Sequence, residues 1–144
     1  MVEIELSVSF ACMSDIDWIV KNDTHIPKEM IERKLQGQEY IIAKVSGKPV
    51  GCLRFGLLWS VIPYIEVIWV EDRFHRRGIG RELVRCLEDH ARSQGQEIIM
   101  SSSQADEPDA QAFHRSIGFR DAGALVDMRP LQSVAEVFFV KNTE

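Results

Sequence analysis

The stretch DRFHRRGIGREL, Asp72 to Leu83, gathers four arginines around two glycines in a chain whose formal net charge is -5. Arginine offers anionic oxygens charge-assisted hydrogen bonds, roughly twice as strong as neutral ones. Gly78 and Gly80, separated by Ile79, stand where an apolar strand pattern gives way to an amphipathic helix pattern. The first amides of such a helix lack internal acceptors and carry the positive end of its dipole. The backbone NH groups from about Arg76 to Arg81, backed by the side chains of Arg76, Arg77 and Arg81, therefore suit phosphate oxygens, with a pyrophosphate as the natural guest. An ordinary turn with solvated arginines has the same GxG spacing. Neither GxGxxG nor GxxxxGK[ST] is met, since Leu83 stands where a third glycine belongs.

Three further groups have the type and context for proton chemistry. In YIEVIWV, strand alternation puts Tyr64, Glu66, Ile68 and Val70 on one face, where burying the carboxylate would cost kilocalories unless it is compensated. Glu136, in SVAEVFFV, has the same apolar setting. His114 shares a helical face with Ala110, Phe113 and Ile117, which directs the imidazole inward or toward a cleft. Pairing of Glu66 with an arginine and simple packing of His114 suit the same patterns. Cys12, Cys52 and Cys86 are odd in number and form no CxxC pair, so reduced thiols and no metal site are expected. His25, His90, Trp18 and Trp59 show no ligand spacing and read as structural.

The elements that position these groups follow from periodicity and punctuation. Glu3 to Ser9 alternates as a strand. Helices are expected around Ser14 to Lys21 and from Pro27, as a first helical residue, to Gly37. Glu39 to Val45 and Val50 to Trp59 form a hairpin through the turn SGKP. Pro63 marks a break before the strand YIEVIWV. Ile79 to Gln94 is an amphipathic helix with Ile79, Leu83, Leu87 and Ala91 on one face, stopped by Gly95. EIIMSS is a short buried strand. A helix capped by Asp106, with Pro108 in its first turn, ends at Gly118. Phe119 to Val126 and Val134 to Val140 are the last strands. This order makes an α/β chain with a mixed sheet covered by helices on both faces.

At 144 residues, 45% of them hydrophobic, the chain suits one domain over 1–144. Its apolar runs are too short for a membrane-spanning helix, and MVEIELSVSF lacks the marks of a signal peptide, so a soluble cytoplasmic protein is expected. The acidic balance argues against nucleic acid and leans toward cationic partners.

HRRGIGREL after a strand ending IWV, followed by DAQAFHRSIGF, resembles the GCN5-related N-acetyltransferases. The family pattern is Gln or Arg, two residues, Gly, any residue, then Gly or Ala; His75 departs from its first position, while Gly78 and Gly80 match. The resemblance is strongest from Tyr64 to Phe119. It implies the GNAT fold, a mixed, mostly antiparallel sheet of six to seven strands that splays between the fourth and fifth. It also implies acetyl-CoA as co-substrate, without a metal. The loop from His75 through Arg76, Arg77, Gly78, Ile79 and Gly80 to Arg81 would bind the pyrophosphate, and the strand end at Ile68, Trp69 and Val70 would pair with the pantetheine arm. Ser102, Glu107, Ala110 and Phe113 complete the implied cofactor contacts, Glu107 standing where the family often has asparagine.

Direct attack by a free amine needs a base for the ammonium and is helped by an acid for the thiolate. By the resemblance Glu66 is the leading base and Glu136 its rival. His114 stands where the family usually has the acidic tyrosine; with an ordinary pKa of about 6.5 its donor form would depend on pH. The acceptor expected is a small amine, polyamine or aminoglycoside-like cation, with a protein amino terminus or lysine as the alternative. A non-catalytic acyl-CoA sensor is the reading from a different class. The segments that would select acceptors, near Trp18 to Gln36 and Trp59 to Tyr64, carry no readable code. Strands near the carboxyl terminus mediate homodimers in many members.

Overall fold

The computed structural model describes residues 5–144. The expected first strand began at Glu3, outside the described residues, and β1 runs Leu6–Phe10. It is followed by a 3-10 turn at Met13–Asp15, α1 (Ile16–Asn22), α2 (Lys28–Gln36), β2 (Tyr40–Val45), β3 (Lys48–Leu58) and β4 (Ile62–Val70). A second 3-10 turn, Asp72–Phe74, leads to α3 (Ile79–Ser93), β5 (Ile98–Gln104), α4 (Pro108–Ser116), β6 (Arg120–Leu125) and β7 (Glu136–Asn142). The strand neighbours run β1-β2-β3-β4-β5-β7-β6 in a seven-stranded sheet. The expected order of elements holds throughout. The β1–β2, β2–β3, β5–β7 and β6–β7 pairings are antiparallel. β4 and β5 run parallel, with Tyr64 opposite Met100.

Two compact units emerge from the internal contacts: Met1–Phe55 with Val67–Leu87, and Gly56–Glu66 with Glu88–Glu144. In the first, Ala11, Ile19, Ile31, Leu35, Tyr40 and Ile42 form a buried cluster joined by Ile16, Trp18, Val20 and Ile26. Asp23 is buried there, accepting from the Tyr40 hydroxyl at 2.6 Å and from Arg54 Nη1 at 2.9 Å. A buried carboxylate is tolerable only when its oxygens are paired in this way. In the second, Ile99, His114, Ile117, Phe119 and Phe139 are buried.

Some local expectations are corrected. Pro27 is the N-cap of α2, its φ of -70 and ψ of 159 being extended, and helical residues begin at Lys28. Pro63 does not break the chain but lies second in β4, where it removes one amide near a strand end. The reversal instead falls on Trp59 and Ser60, both with positive φ (53 and 63), closed by Val61 N donating to Leu58 O at 3.1 Å. Two positive φ values suit the right-handed twist of a hairpin but are usually supplied by Asn or Gly, so no turn signal is legible at Trp59 and Ser60. Glu107, not Asp106, occupies the N-cap of α4, and Pro108 takes the first helical position. The SGKP turn is as expected, with Ser46 and Gly47 at φ 50 and 81.

Candidate functional site

The arginine and glycine loop connects β4 to α3. His75, Arg76, Arg77, Gly78 and Arg81 are exposed, and Ile79 turns inward and is buried. Arg76 and Gly78 both have left-handed backbone, φ 63 and 79. A Cβ on Gly78 would meet nothing within 4 Å, so its glycine is demanded by the torsion, not by crowding. Glu82 N donates to Gly78 O at 3.0 Å, the bond that opens the helix. The amides of Ile79, Gly80 and Arg81 precede it and have no intrahelical acceptor. His75, unexplained by the motif, accounts for the loop's closure: its Nε2 lies 2.7 Å from Val70 O and 3.7 Å from Asp72 Oδ1. Arg73 and Arg77 carry their guanidinium groups over the Phe74 ring, 4.9 and 5.4 Å from its centroid.

The end of β4, with Ile68, Trp69 and Val70 half-buried, is fixed by a residue that the sequence reading passed over. A Cβ at Gly51 would stand 2.8 Å from Trp69 O and 3.2 Å from Val70 Cγ2. Glycine here lets the β3 backbone approach the last residues of β4. A glycine inside a β-rich run was the available signal. Trp18 and Trp69 pack with ring centroids 5.7 Å apart, which gives both tryptophans an aromatic partner.

In the second unit three strands bring a polar chain together. Tyr64 OH and Ser102 Oγ are 2.5 Å apart, and Ser102 Oγ donates to Glu136 Oε2 at 2.6 Å. Gln132 Nε2 donates to Glu136 Oε1 and to Val134 O, both at 3.0 Å. The Tyr64 ring stacks on Phe138, 6.0 Å between centroids, and Phe138 is the register partner of Ser102. Burial pushes the Tyr64 phenol above its ordinary value of 10; the Ser102 hydrogen bond opposes this, while the charges of Glu136 and Glu66 add to it. Of the predicted residues, Ser102 and Glu136 are thus brought together, and Tyr64 is the member that the sequence reading did not single out.

Alternation along β5 sends Ser101 and Ser103 inward and leaves Ser102 and Gln104 half-buried. Ser101 Oγ meets His114 Nε2 at 2.7 Å. The imidazole lies flat against Phe139, 4.7 Å between centroids at 13°, with Phe113 and Phe119 at its edges. Its Nδ1 is buried without a hydrogen-bond partner. Burial lowers the His114 pKa below 6.5. Of the two readings open for His114, these contacts are those of packing. On the same helix Glu107 is exposed, whereas Ala110 and Phe113 are half-buried. Glu66, the leading base by the resemblance, is exposed, whereas Pro63 and Ile65 at that end of β4 are buried.

Among the described residues no group of three or more His, Cys, Asp or Glu side chains is arranged to hold a metal ion. Nor is any helix long and apolar enough to cross a membrane. The model of the acetyltransferase (GNAT) family matches residues 10–119. The chain is 32% identical over 87 residues to the N-alpha-acetyltransferase RimI of Mycobacterium tuberculosis (strain ATCC 25618 / H37Rv), a match covering 58% of this chain and 53%, about half, of that relative. Among solved structures it resembles the ribosomal-protein-S18-alanine N-acetyltransferase from Escherichia coli, at TM-score 0.79 and 17% identity over 96% of this chain and 94% of that one. It also resembles yncA from Salmonella typhimurium with its cofactor acetyl-CoA, at TM-score 0.78 and 16% identity over 96% and 94% of the respective chains.

Proposed function

Since the chain belongs to the GNAT family of acetyltransferases, we propose that it transfers the acetyl group of acetyl-CoA to a primary amine. The observation that carries this reading is the exposed loop at the start of α3, with its left-handed Gly78, three amides lacking intrahelical acceptors and the guanidinium groups of Arg76, Arg77 and Arg81. Such a loop holds a pyrophosphate through its backbone, and the arginines add charge. The backbone of Ile68, Trp69 and Val70 is the segment for the pantetheine arm. Glu136 rather than Glu66 is the base in this reading, because two hydrogen bonds orient its carboxylate. The amine, once neutral, forms a bond to the thioester carbon, the carbon to sulfur bond breaks, and the thiolate takes the surplus proton of the new amide nitrogen. Residues 10–119 run through both compact units, which supports one acetyltransferase domain over 1–144.

Gly78→Val tests the loop directly. A β-branched residue cannot hold φ near +79 without strain, so acetyl-CoA affinity measured by calorimetry should fall about tenfold or more; an unchanged affinity contradicts the pyrophosphate assignment. For the acceptor, identity to a relative named as an N-alpha-acetyltransferase favours a peptide α-amine over a small polyamine or aminoglycoside-like cation. Thiol release with both kinds of amine decides between them. If acetyl-CoA raises the melting temperature while no amine speeds thiol release, the chain is an acyl-CoA sensor.

A further inference from the structure

The hydrogen atoms of the polar chain in the second unit can be assigned by counting. The Glu136 carboxylate only accepts, and Ser102 has one hydroxyl proton, which it gives to Oε2 at 2.6 Å. In the 2.5 Å contact between Tyr64 and Ser102 the serine oxygen must therefore accept. The phenol proton of Tyr64 points along the chain, which leaves the acceptor capacity of its oxygen for an N–H donor. The carboxylate at the far end cannot swing away, because Gln132 holds its other oxygen. Stacking on Phe138 fixes the phenol ring. Three hydrogen bonds, contributed by three strands and Gln132, thus hold one direction of proton flow.

We infer that Tyr64 is the group that takes the proton of the acceptor ammonium, handing its own to Ser102 as Ser102 hands its proton to Glu136. The inference rests on the acetyltransfer reading and identifies a contact residue for it. One N–H bond of the ammonium breaks and an O–H bond forms at Tyr64; the Tyr64 proton moves to Ser102 Oγ, and the Ser102 proton moves to Glu136 Oε2. The amine becomes neutral as Glu136 becomes a carboxylic acid, so charge is conserved, and Glu136 then releases its proton to solvent. Tyr64 is the catalytic residue in this scheme, and Ser102, Glu136 and Gln132 act through it. Glu66 is the other charge that raises the Tyr64 phenol among the described residues. An acidic sink behind a phenol lets a group that is a poor base alone act as one, since the proton does not stay on it.

The test combines Tyr64→Phe, Ser102→Ala and Glu136→Gln, singly and in pairs. Steady-state rates would be followed from low to high pH beside acetyl-CoA affinity, and the Tyr64 Cζ resonance observed in free protein labelled with 13C-tyrosine. Tyr64→Phe keeps the stacked ring, so the fold is retained. Each single change should lower kcat about a hundredfold at low pH, and Tyr64→Phe and Glu136→Gln should leave acetyl-CoA affinity unaltered. The loss should shrink as pH approaches the acceptor's own ammonium pKa, and the pairs should be no worse than the worst single variant. Ser102→Ala and Glu136→Gln should each displace the Tyr64 resonance without any substrate. Full activity in Tyr64→Phe, multiplicative losses in the pairs, or an unmoved resonance would overturn the relay while leaving acetyltransfer intact. Absence of thiol release by the unaltered protein with every amine would instead remove acetyltransfer, and the proton role with it.

Discussion

The contacts of His114 are those of a packed side chain. With Phe139 flat against it and Ser101 on its Nε2, the ring is part of an aromatic core. Its lowered pKa has a consequence for stability. Above about 6.5 the imidazole is neutral in both folded and unfolded chains; below it the unfolded chain takes up a proton that the folded one refuses. Stability should therefore fall as pH drops from 7 to 5, and His114→Phe should flatten that part of the melting temperature profile. Parallel profiles for the two proteins would contradict the account. His114→Ala should cost about 3 kcal/mol in denaturant titration through the cavity it leaves. The helical spacing of Ala110, Phe113, His114 and Ile117 was enough to turn His114 inward, but Ser101 and Phe139 come from other elements and could not be read with it. The same limit hid Tyr64. Its alternation with Glu66 was legible, whereas the 2.5 Å contact to Ser102 depends on the register of β4 against β5.

At the level of elements, both ends of β4 depend on unusual backbone. Gly51 on β3 admits Trp69 O where a Cβ would come within 2.8 Å. Gly51→Ala should cost about 1–3 kcal/mol and, on the proposal that the end of β4 pairs with the pantetheine arm, weaken acetyl-CoA binding; a melting temperature and affinity equal to the parent would show that β4 yields without consequence. At the other end, Trp59 and Ser60 hold positive φ without glycine, and Trp59 is 80% exposed. Non-glycine residues there carry roughly 1–2 kcal/mol of strain each. Replacing the pair by Asn-Gly should raise the melting temperature. If the exposed hairpin end contacts the acceptor, kcat/KM for the acceptor should fall while acetyl-CoA affinity holds. Stabilisation with unchanged acceptor kinetics would make the strain incidental. Periodicity and punctuation together recovered the order of strands and helices, periodicity most clearly in α3, where Ile79, Leu83, Leu87 and Ala91 are all buried. They misplaced the reversal at Pro63 because proline is a strong turn signal and Trp-Ser is none.

Across the whole molecule, an acidic chain of net charge -5 concentrates four exposed arginines in the loop before α3 and its first turn. Binding of a polyanionic co-substrate by such a loop should weaken as salt shortens the range of its charges. An acetyl-CoA affinity that does not change between low and high salt would place the binding elsewhere. Family membership was legible in a few residues of this loop and of α4, because backbone binding of a pyrophosphate demands glycines at fixed places. The acceptor was not, since nothing in the acceptor-selecting segments requires a residue type that spacing alone would reveal. The most direct test is continuous detection of thiol released from acetyl-CoA by the unaltered protein in the presence of amines, including polyamines, aminoglycosides and short peptides with free α-amino groups. Acetyltransfer predicts that at least one amine speeds release about tenfold or more over the amine-free rate, with the acetylated amine recovered as product. Release at the amine-free rate with every amine, at saturating acetyl-CoA, would contradict it.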